Sequence, residues 1–323
     1  MKLLWLGMIC MSKNDNIDYK NIQVAVIYGG PSSEAEISKK SAKAVMDALQ
    51  KTGFSVHEVE WSFNIECQLQ DLKPDIAFIA MHGLWGEDGQ IQNLLERLNI
   101  AYIGSDAQTC QNTYNKIRTK EILKKHHLPT LDYQVCQANS KIKILLDFPL
   151  ICKPIAEGSS VGIHLIENHD ELERVFRLLS KDYEEWFIEP FIAGREFTVA
   201  VWQGQALPVV EIVPEGRFFD FYSKYKSDKT VYHAPASMSP GLEKSLKEIG
   251  EQVYHIFQCR DLARVDFITK EDRVYVLEVN TIPGFTERSL FPLAARCAGI
   301  SFQLLCEQLV MLASVRRTTI HAH

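Results

Sequence analysis

The sequence lacks long apolar segments and an excess of basic residues, and each absence argues against a class of protein. A helix needs about 20 apolar residues to span a bilayer, and no apolar run in this sequence approaches that length. Asp and Glu number 41 against 35 Lys and Arg, which gives a net charge of −6. We therefore expect neither nucleic acid nor a membrane as a partner, although a local basic cleft for phosphates stays open.

The 8 cysteines form neither a Cys-x-x-Cys pair nor a Cys/His cluster at zinc spacing. Such scattered cysteines are typical of buried small hydrophobic residues in a reducing compartment. Residues 1–11 loosely resemble a signal peptide, but no small-x-small cleavage site follows them. We therefore predict a cytoplasmic protein in which residues 1–20 are a flexible extension.

Two common nucleotide-binding signatures are also missing. Neither G-x-G-x-x-G nor G-x-x-x-x-G-K-[ST] occurs, although Gly29 and Gly30 follow an apolar run. Any nucleotide must therefore be held by another scaffold.

The residues that are present indicate a globular protein of several domains. Of the 323 residues, 46% are hydrophobic and 24% charged, close to the globular average. Residues 21–112 alternate apolar strands with helices, which predicts an open α/β domain with a parallel sheet. Residues 113–192 are predicted to form a small central α+β lobe, and residues 193–323 a C-terminal lobe with a mixed sheet. The predicted fold class is α/β, with three lobes.

The most informative polar pattern lies on two predicted strands of the C-terminal lobe. Residues i and i+2 of a strand face the same way, so Arg264 and Asp266 share one face. Glu278 and Asn280 share a face of the next strand, which a turn at 270–273 joins to the first in a hairpin. The three oxygen-bearing side chains then converge as hard ligands suited to Mg²⁺ bound with phosphates, beside the charge of Arg264. The alternative is a solvated polar face of an edge hairpin.

Two lysines precede loops in the central lobe. Lys116 opens a helical region, and Lys153 ends an apolar strand just before the loop Gly158-Ser159-Ser160. The backbone N–H groups of such a loop, together with a lysine charge, suit phosphate oxygens. The alternative is a pair of solvated lysines beside an ordinary linker.

Several further polar positions follow the ends of strands. Glu34 lies at the start of a helix, where a carboxylate also serves the helix dipole. Gly284 would let a backbone N–H approach a substrate oxygen, and Ser289 would anchor a carboxylate at a helix start, the alternative being an ordinary capped helix. His82 is ambiguous by itself, because a lone histidine at a strand end is more often structural than catalytic.

Six sequence blocks, taken in order, resemble the signatures of D-alanine–D-alanine ligases. They are YGGPSSEAEIS at 28–38, HGLWGEDGQIQNLLE at 82–96, KP with EGSSVG at 153–162, E with GREFTV at 189–199, ARVDF at 263–267 and LEVNTIPGFTERSLFP at 277–292. The resemblance covers residues 22–309 and is specific, because all six blocks occur in sequence at sensible spacings. That family belongs to the ATP-grasp ligases, whose three-lobed architecture agrees with the prediction above.

The resemblance implies a reaction. ATP, bound between the central and C-terminal lobes, would phosphorylate the carboxylate of one D-alanine. The amino group of a second D-alanine would attack the acyl phosphate, and a tetrahedral intermediate would collapse to D-alanyl-D-alanine, ADP and phosphate. The dipeptide would serve bacterial peptidoglycan precursor synthesis, and the resemblance also implies a homodimer.

By position, the resemblance assigns catalytic and substrate-binding roles. Glu34 would hold the ammonium group of the first D-alanine, linked through Ser159 to Tyr225. His82 is assigned to substrate binding. Arg264 and the Gly284 N–H are assigned to the oxyanion site. Ser289 and Leu290 are assigned to the site for the second carboxylate.

The same resemblance assigns the nucleotide and metal contacts. Lys116 and Lys153 would contact the ATP phosphates, and further ATP contacts, including the adenine and ribose ends, fall to Glu189, Phe191, Ile192, Glu196 and Lys224. Two Mg²⁺ ions, which Mn²⁺ can replace, would be held by Asp266, Glu278 and Asn280.

One segment and one departure refine the resemblance. Lys224 and Tyr225 lie in residues 218–229, which resemble the mobile ω-loop that closes over the site and excludes water. Tyr225 occupies the position that separates dipeptide-forming from depsipeptide-forming ligases, which predicts D-Ala-D-Ala rather than D-Ala-D-lactate. Pro190 stands where many relatives have Lys, so one adenine contact stays open.

Two other functions are weighed against this one. An ATP-grasp ligase for a different carboxylate and amine is disfavoured by the set of Glu34, Ser159 and Tyr225. A nucleotide-binding regulatory module is disfavoured because the predicted metal set is complete.

Overall fold

Each of the three lobes is built on its own β-sheet in the computed structural model, which describes residues 21–138, 143–217 and 229–320. The predicted extension at 1–20 lies outside the described residues. So do residues 218–228 of the predicted ω-loop, with Lys224 and Tyr225.

The N-terminal lobe has the predicted parallel sheet. Its strands are β1 (Gln23–Tyr28), β2 (Ser55–Glu60), β3 (Ile76–Ile79) and β4 (Ala101–Tyr102), in the spatial order β2-β1-β3-β4. Its helices are α1 (Ala35–Thr52), α2 (Ile65–Leu72) and α3 (Gln90–Arg97). β3 is buried along its whole length, as its continuous apolar sequence predicts for a sheet covered on both faces. The loops that carry Glu34 and His82 follow β1 and β3, so they meet at the carboxyl edge of this sheet.

Two helices, α4 (Ala107–Tyr114) and α5 (Lys116–Lys125), lead into the central lobe. Asn115 separates them because its backbone is extended, and its side-chain oxygen caps α5 by accepting from the Arg118 N–H at 2.9 Å. Lys116 therefore lies in the first turn of α5, where its own N–H donates to Ile155 O of the central lobe at 2.9 Å.

The central lobe is a four-stranded antiparallel sheet with one covering helix. Its strands are β5 (Gln134–Gln137), β6 (Leu150–Pro154), β7 (His164–Ile166) and β8 (Glu185–Pro190), in the order β5-β8-β6-β7. Helix α6 (His169–Leu179) buries Leu172, Val175 and Leu179 in the core of this lobe. β6 and β8 are antiparallel, with Glu189 opposite Ile151 and Lys153 opposite Phe187, so Lys153 and Glu189 are diagonal neighbours on one face of the sheet.

The C-terminal lobe contains six strands in one sheet, and every pairing among these described strands is antiparallel, so the predicted mixed character of this sheet is wrong. The strands are β9 (Arg195–Trp202), β10 (Gln205–Ala206), β11 (Val210–Val213), β12 (Val231–His233), β13 (Leu262–Lys270) and β14 (Arg273–Asn280). The order is β12-β11-β9-β13-β14, and β10 pairs with β9. The helices are α7 (Pro240–Ile256), α8 (Leu290–Cys297) and α9 (Phe302–Ile320).

The predicted hairpin is confirmed by the pairing of β13 with β14. Asp266 lies opposite Glu278 and Arg264 opposite Asn280, and Lys270 pairs with Arg273 at the turn. Since alternate residues of a strand share a face, all the side chains of the predicted metal set lie on the same side of the sheet. β14 is an edge strand, but the predicted metal set is not a solvated polar face. The Asp266 side chain is only 14% exposed.

Helices α8 and α9 carry apolar residues that pack against α1 and the sheets. In the part of the chain that the structure describes, no single helix has the length and apolar character needed to cross a bilayer. The bent pair Leu290–Cys297 and Phe302–Arg317, at 104° to each other, passes that test only jointly.

A buried ion pair ties α9 to the junction of the N-terminal and C-terminal lobes. Arg316 on α9 donates to both carboxylate oxygens of Asp261, at 2.5 and 2.7 Å, and to Tyr102 O at 2.8 Å. The Gly104 N–H donates to the same carboxylate at 2.8 Å. Asp261 is 5% exposed, so its charge depends on these donors.

We expect Asp261→Asn to lower the free energy of unfolding by about 3 kcal/mol, because it leaves the Arg316 guanidinium without its buried counter-charge. Urea unfolding followed by circular dichroism measures this change. The control is Asp132→Asn, which removes the partner of Lys124 in a pair whose side chains are 80% and 44% exposed. We expect that control to change stability by about 0–1 kcal/mol, and equal effects of the two variants would contradict the assignment.

Candidate active site

The three lobes enclose a cleft of about 490 Å³, to which each contributes polar side chains. Glu34 reaches it from the N-terminal lobe, Ser159 from the central lobe and Arg264 from the C-terminal lobe. A second cavity, of about 100 Å³, lies between the sheets of the central and C-terminal lobes. Glu278 lines both, so the two cavities meet at the predicted metal site.

Every predicted site residue that the structure describes lines one of these cavities. The larger cleft is lined by Glu34, His82, Lys116, Ser159, Arg264, Glu278, Asn280, Gly284, Ser289 and Leu290. The smaller cavity is lined by Lys153, Glu189, Phe191, Ile192, Glu196, Asp266 and Glu278. Lys224 and Tyr225 lie outside the described residues, so their roles stay predictions.

The Asp266 carboxylate is held in one orientation by three neighbours. Arg264 donates to its two oxygens at 2.9 and 2.7 Å. The Thr198 hydroxyl donates to Oδ1 at 2.6 Å, and the Asn280 amide donates to Oδ2 at 3.2 Å. Thr198 lies directly opposite Asp266 in the pairing of β9 with β13, which is why its hydroxyl reaches the carboxylate.

The chemistry of this donor set fits Mg²⁺. Asp266 and Glu278 offer carboxylate oxygens and Asn280 an amide oxygen, all of them hard ligands. Within the described ranges, no group of three or more His, Cys, Asp or Glu side chains is placed to hold a metal ion. A cation at this site would therefore be completed by oxygens from outside the protein, such as phosphates, as Mg²⁺ commonly is.

The Glu34 carboxylate lies at the centre of the junction between the N-terminal and central lobes. Ser159 Oγ donates a short hydrogen bond to Glu34 Oε1. A Cβ atom at Gly158 would collide with Glu34 Oε2, and one at Gly83 would lie 3.2 Å from the same oxygen. The glycines of both loops therefore let the backbone approach the carboxylate closely. Glu34 is 6% exposed and precedes α1, so it suits a cationic group better than bulk solvent.

His82 is buried in the wall of the cleft between two polar neighbours. Its Nδ1 lies 3.6 Å from Glu87 Oε1, and its Nε2 lies 3.3 Å from Ser41 Oγ. Burial alone would lower the pKa of His82, but the Glu87 carboxylate outweighs it and raises the pKa above its ordinary value. Burial also raises the pKa of Glu87, so the pair retains a proton inside the protein.

Both predicted phosphate lysines are largely shielded from solvent, so the alternative of solvated lysines is wrong. Lys116 is 13% exposed and donates to Glu157 O at 2.5 Å, and its ammonium lies 3.9 Å from Glu278 Oε2. Lys153 is 14% exposed, and its ammonium lies 2.5 Å from Glu189 Oε1. Burial lowers the pKa of Lys153, but Glu189 outweighs this effect and raises it, so Lys153 holds its positive charge.

Ser289 lies at the N-terminus of α8, but its side chain does not cap the helix. Its hydroxyl instead accepts from the Thr286 N–H at 3.1 Å and lies 2.8 Å from the Thr286 hydroxyl. A Cβ atom at Gly284 would lie 3.0 Å from Ser289 Oγ, so the glycine permits this tight loop. The alternative, in which the Ser289 side chain simply caps the helix, is therefore wrong. The predicted position of Ser289 at the start of α8 is confirmed.

Several residues that contact the predicted set were not singled out from the sequence, among them Glu87, Lys120, Glu157 and Thr198. Lys120 was detectable in principle, because it follows Lys116 by one helical turn and so shares its face of α5. Thr198 was not, because 68 residues separate it from Asp266 and only the strand register joins them.

Comparison with known proteins agrees with this geometry. The family described as "D-ala D-ala ligase C-terminus" matches residues 117–311, and "D-ala D-ala ligase N-terminus" matches residues 56–105. The D-alanine–D-alanine ligase of Syntrophotalea carbinolica is 38% identical over 296 residues, 91% of this chain and 97% of that protein. The ligase of Aquifex aeolicus is 40% identical over 287 residues, 88% of this chain and 98% of that protein.

Solved structures are similar over almost the whole chain. The D-alanine–D-alanine ligase of Bacillus anthracis complexed with ATP superposes with a TM-score of 0.82 at 27% identity, covering 93% of this chain and 99% of that one. The three-lobed fold is that of an ATP-grasp ligase. Within that class, the chain belongs to the D-alanine–D-alanine ligase family.

We expect Glu87→Gln to lower the pKa of His82, because burial then acts on the imidazole against the weaker, more distant effect of Glu34 alone among the carboxylates. Since the pKa of His82 is raised on folding, the pair stabilises the protein below the ordinary histidine pKa of about 6.5 and loses this effect as pH rises through the folded value. Titration of the His82 imidazole by NMR measures its pKa in the wild-type protein and in Glu87→Gln. The control is Glu36→Gln, an exposed carboxylate of α1, and a His82 pKa that is unchanged in Glu87→Gln would contradict the assignment.

Proposed function

We propose that this protein joins two D-alanine molecules to D-alanyl-D-alanine at the expense of ATP, for bacterial peptidoglycan precursor synthesis. The observation that carries the proposal is that one cleft is lined by the buried carboxylate of Glu34, by Glu278 of the predicted metal set and by the loop at Gly284. The family membership of the chain supports the same reaction. We place the protein in the cytoplasm as a homodimer.

The first D-alanine would bind beside the N-terminal lobe. Its ammonium group suits the buried carboxylate of Glu34, which Ser159 holds in place. His82 borders the same pocket, with its Nδ1 3.6 Å from Glu87 Oε1. These groups orient the substrate, so that its own carboxylate points toward the metal set and the nucleotide phosphates.

ATP would occupy the smaller cavity, with its phosphates directed toward the larger cleft. Lys153 and Lys116 lie along that path, and each offers a positive charge to phosphate oxygens. Glu189, Phe191, Ile192 and Glu196 line the end of the cavity proposed for the base and ribose. When bound at Asp266, Glu278 and Asn280, two Mg²⁺ ions, or Mn²⁺ in their place, would neutralise phosphate charge during transfer.

The carboxylate of the first D-alanine would take the γ-phosphoryl group of ATP, with release of ADP. The neutral amino group of the second D-alanine would then attack the acyl carbon from the side of α8, and phosphate would leave. Arg264 and the Gly284 N–H lie where negative charge develops on the tetrahedral intermediate, so they would stabilise it. The Ser289 hydroxyl and the start of α8 at Leu290 would receive the second carboxylate. Tyr225 and Lys224, outside the described residues, would close the ω-loop over the site and favour an amine over D-lactate as acceptor.

The test measures phosphate release from ATP and Mg²⁺ with D-alanine, with L-alanine and without an amino acid, and identifies the product by mass spectrometry. We expect release only with D-alanine, and D-alanyl-D-alanine as the product. A further arm with D-alanine and D-lactate checks the role of Tyr225, for which we expect the dipeptide and no depsipeptide. ATP binding without turnover that depends on D-alanine would contradict the proposal and favour a nucleotide sensor or another ligase.

We expect Glu278→Gln to reduce kcat by about 100-fold or more while the protein stays folded, because the neutral amide holds a phosphate-bound cation less well. The phosphate-release assay at several Mg²⁺ concentrations measures the loss. The matched control is Glu271→Gln in the exposed turn of the same hairpin, which we expect to keep full activity. Activity of Glu278→Gln within a few-fold of the control would contradict the metal role.

A further inference from the structure

A lysine lies fully buried behind the smaller cavity, on the same face of α5 as Lys116. Lys120 is 1% exposed, and its ammonium lies 2.6 Å from Glu189 Oε2. It also donates to Thr130 Oγ1 and Leu131 O, both at 3.3 Å. A buried ammonium is stable only with such partners, so the position is built around the charge.

Lys120 does not line the cavity, whereas Glu189 does. The carboxylate of Glu189 is 2% exposed and lies between two ammonium groups, that of Lys120 at Oε2 and that of Lys153 at Oε1. Lys120 therefore acts on any ligand only through Glu189. The rings of Tyr133 and Phe187 flank its ammonium at 5.9 and 5.8 Å and exclude water from this side.

The two lysines decide the charge of Glu189. Burial alone would raise the pKa of this carboxyl group, but Lys153 and Lys120 outweigh it and lower the pKa. Burial lowers the pKa of Lys120, and Lys153 and Lys124 act in the same direction, while Glu189 opposes them. Glu278 and Glu196 favour the charge of Lys153. Glu189 is thus a buried, ionised carboxylate, and an ionised carboxylate only accepts hydrogen bonds.

We propose that Lys120 is a positioning residue for nucleotide-base selection, which holds Glu189 as an acceptor-only group facing the base. This inference rests on the proposed function, in which the smaller cavity binds the base of ATP. A purine with an amino group at carbon 6 donates to such a carboxylate. A purine with a carbonyl oxygen at the same carbon presents a second acceptor and is repelled.

Removal of the Lys120 charge changes this selection in a defined way. With one ammonium lost, burial acts more strongly on Glu189, which then takes up a proton more readily. A protonated carboxyl group donates to a carbonyl oxygen, so the 6-oxo purine is no longer rejected. The preference between the two purines should therefore fall, rather than the binding of both falling equally.

The experiment measures the Kd of ADP and of IDP, each with Mg²⁺, by calorimetry on the whole protein. We expect the wild-type protein to prefer ADP, and Lys120→Met to reduce that preference about tenfold, the loss of one charge-assisted hydrogen bond. The matched control is Lys124→Met, the next lysine along α5, whose side chain is 44% exposed. It should keep the wild-type preference, and the KM for D-alanine should be unchanged in both variants.

An unchanged ADP/IDP ratio in a folded Lys120→Met protein would overturn the inference and leave Lys120 a structural residue. If Lys120→Met does not fold, the pH dependence of the ADP/IDP ratio of the wild-type protein tests the inference. That ratio should stay constant between about pH 6 and 8, because two ammonium groups hold Glu189 ionised, and a ratio that falls on acidification would overturn the inference. Wild-type protein that binds neither nucleotide contradicts the proposed function instead, whereas binding without base preference contradicts the inference alone.

Discussion

The antiparallel register of β13 and β14 places Asp266 opposite Glu278 and Arg264 opposite Asn280, and the chemistry of the cleft depends on it. A shift of one residue in this pairing would turn every polar side chain of one strand to the opposite face. The opposite face is apolar, with Val265 and Val279 in the core beneath α7. Burial of that face therefore specifies the register, and the register in turn assembles the metal set.

Two buried carboxylates of this protein are bound by charges from other elements. Glu189 on β8 lies between Lys120 of α5 and Lys153 of β6, and Asp261 is bound by Arg316 of α9. The desolvation of any of these groups alone would be unfavourable, so the elements must meet for the charges to be stable. The pair of Lys153 and Glu189 also forms part of the wall of the smaller cavity.

Much of the site could be predicted, because short polar motifs at strand ends are local patterns. The alternation in ARVDF and in LEVN places their polar residues on one face whatever the rest of the chain does. The roles of Thr198 and Glu87 could not be predicted in this way. Thr198 reaches Asp266 across a strand pairing, and Glu87 reaches His82 by the turn of a glycine-rich loop, so neither contact follows from the spacing of residues along one element.

The sequence by itself determined the alternation of strands and helices, the parallel sheet of the N-terminal lobe, the hairpin of β13 and β14, and the types of the polar residues that line the cleft. These properties follow from local periodicity and from the capacity of each side chain to donate or accept hydrogen bonds. The tertiary structure alone decided which lysine lies beside which carboxylate and how far each is buried. Such contacts join residues far apart in the chain, and the burial that sets the charge of Lys120 and Glu189 exists only after the lobes have packed together.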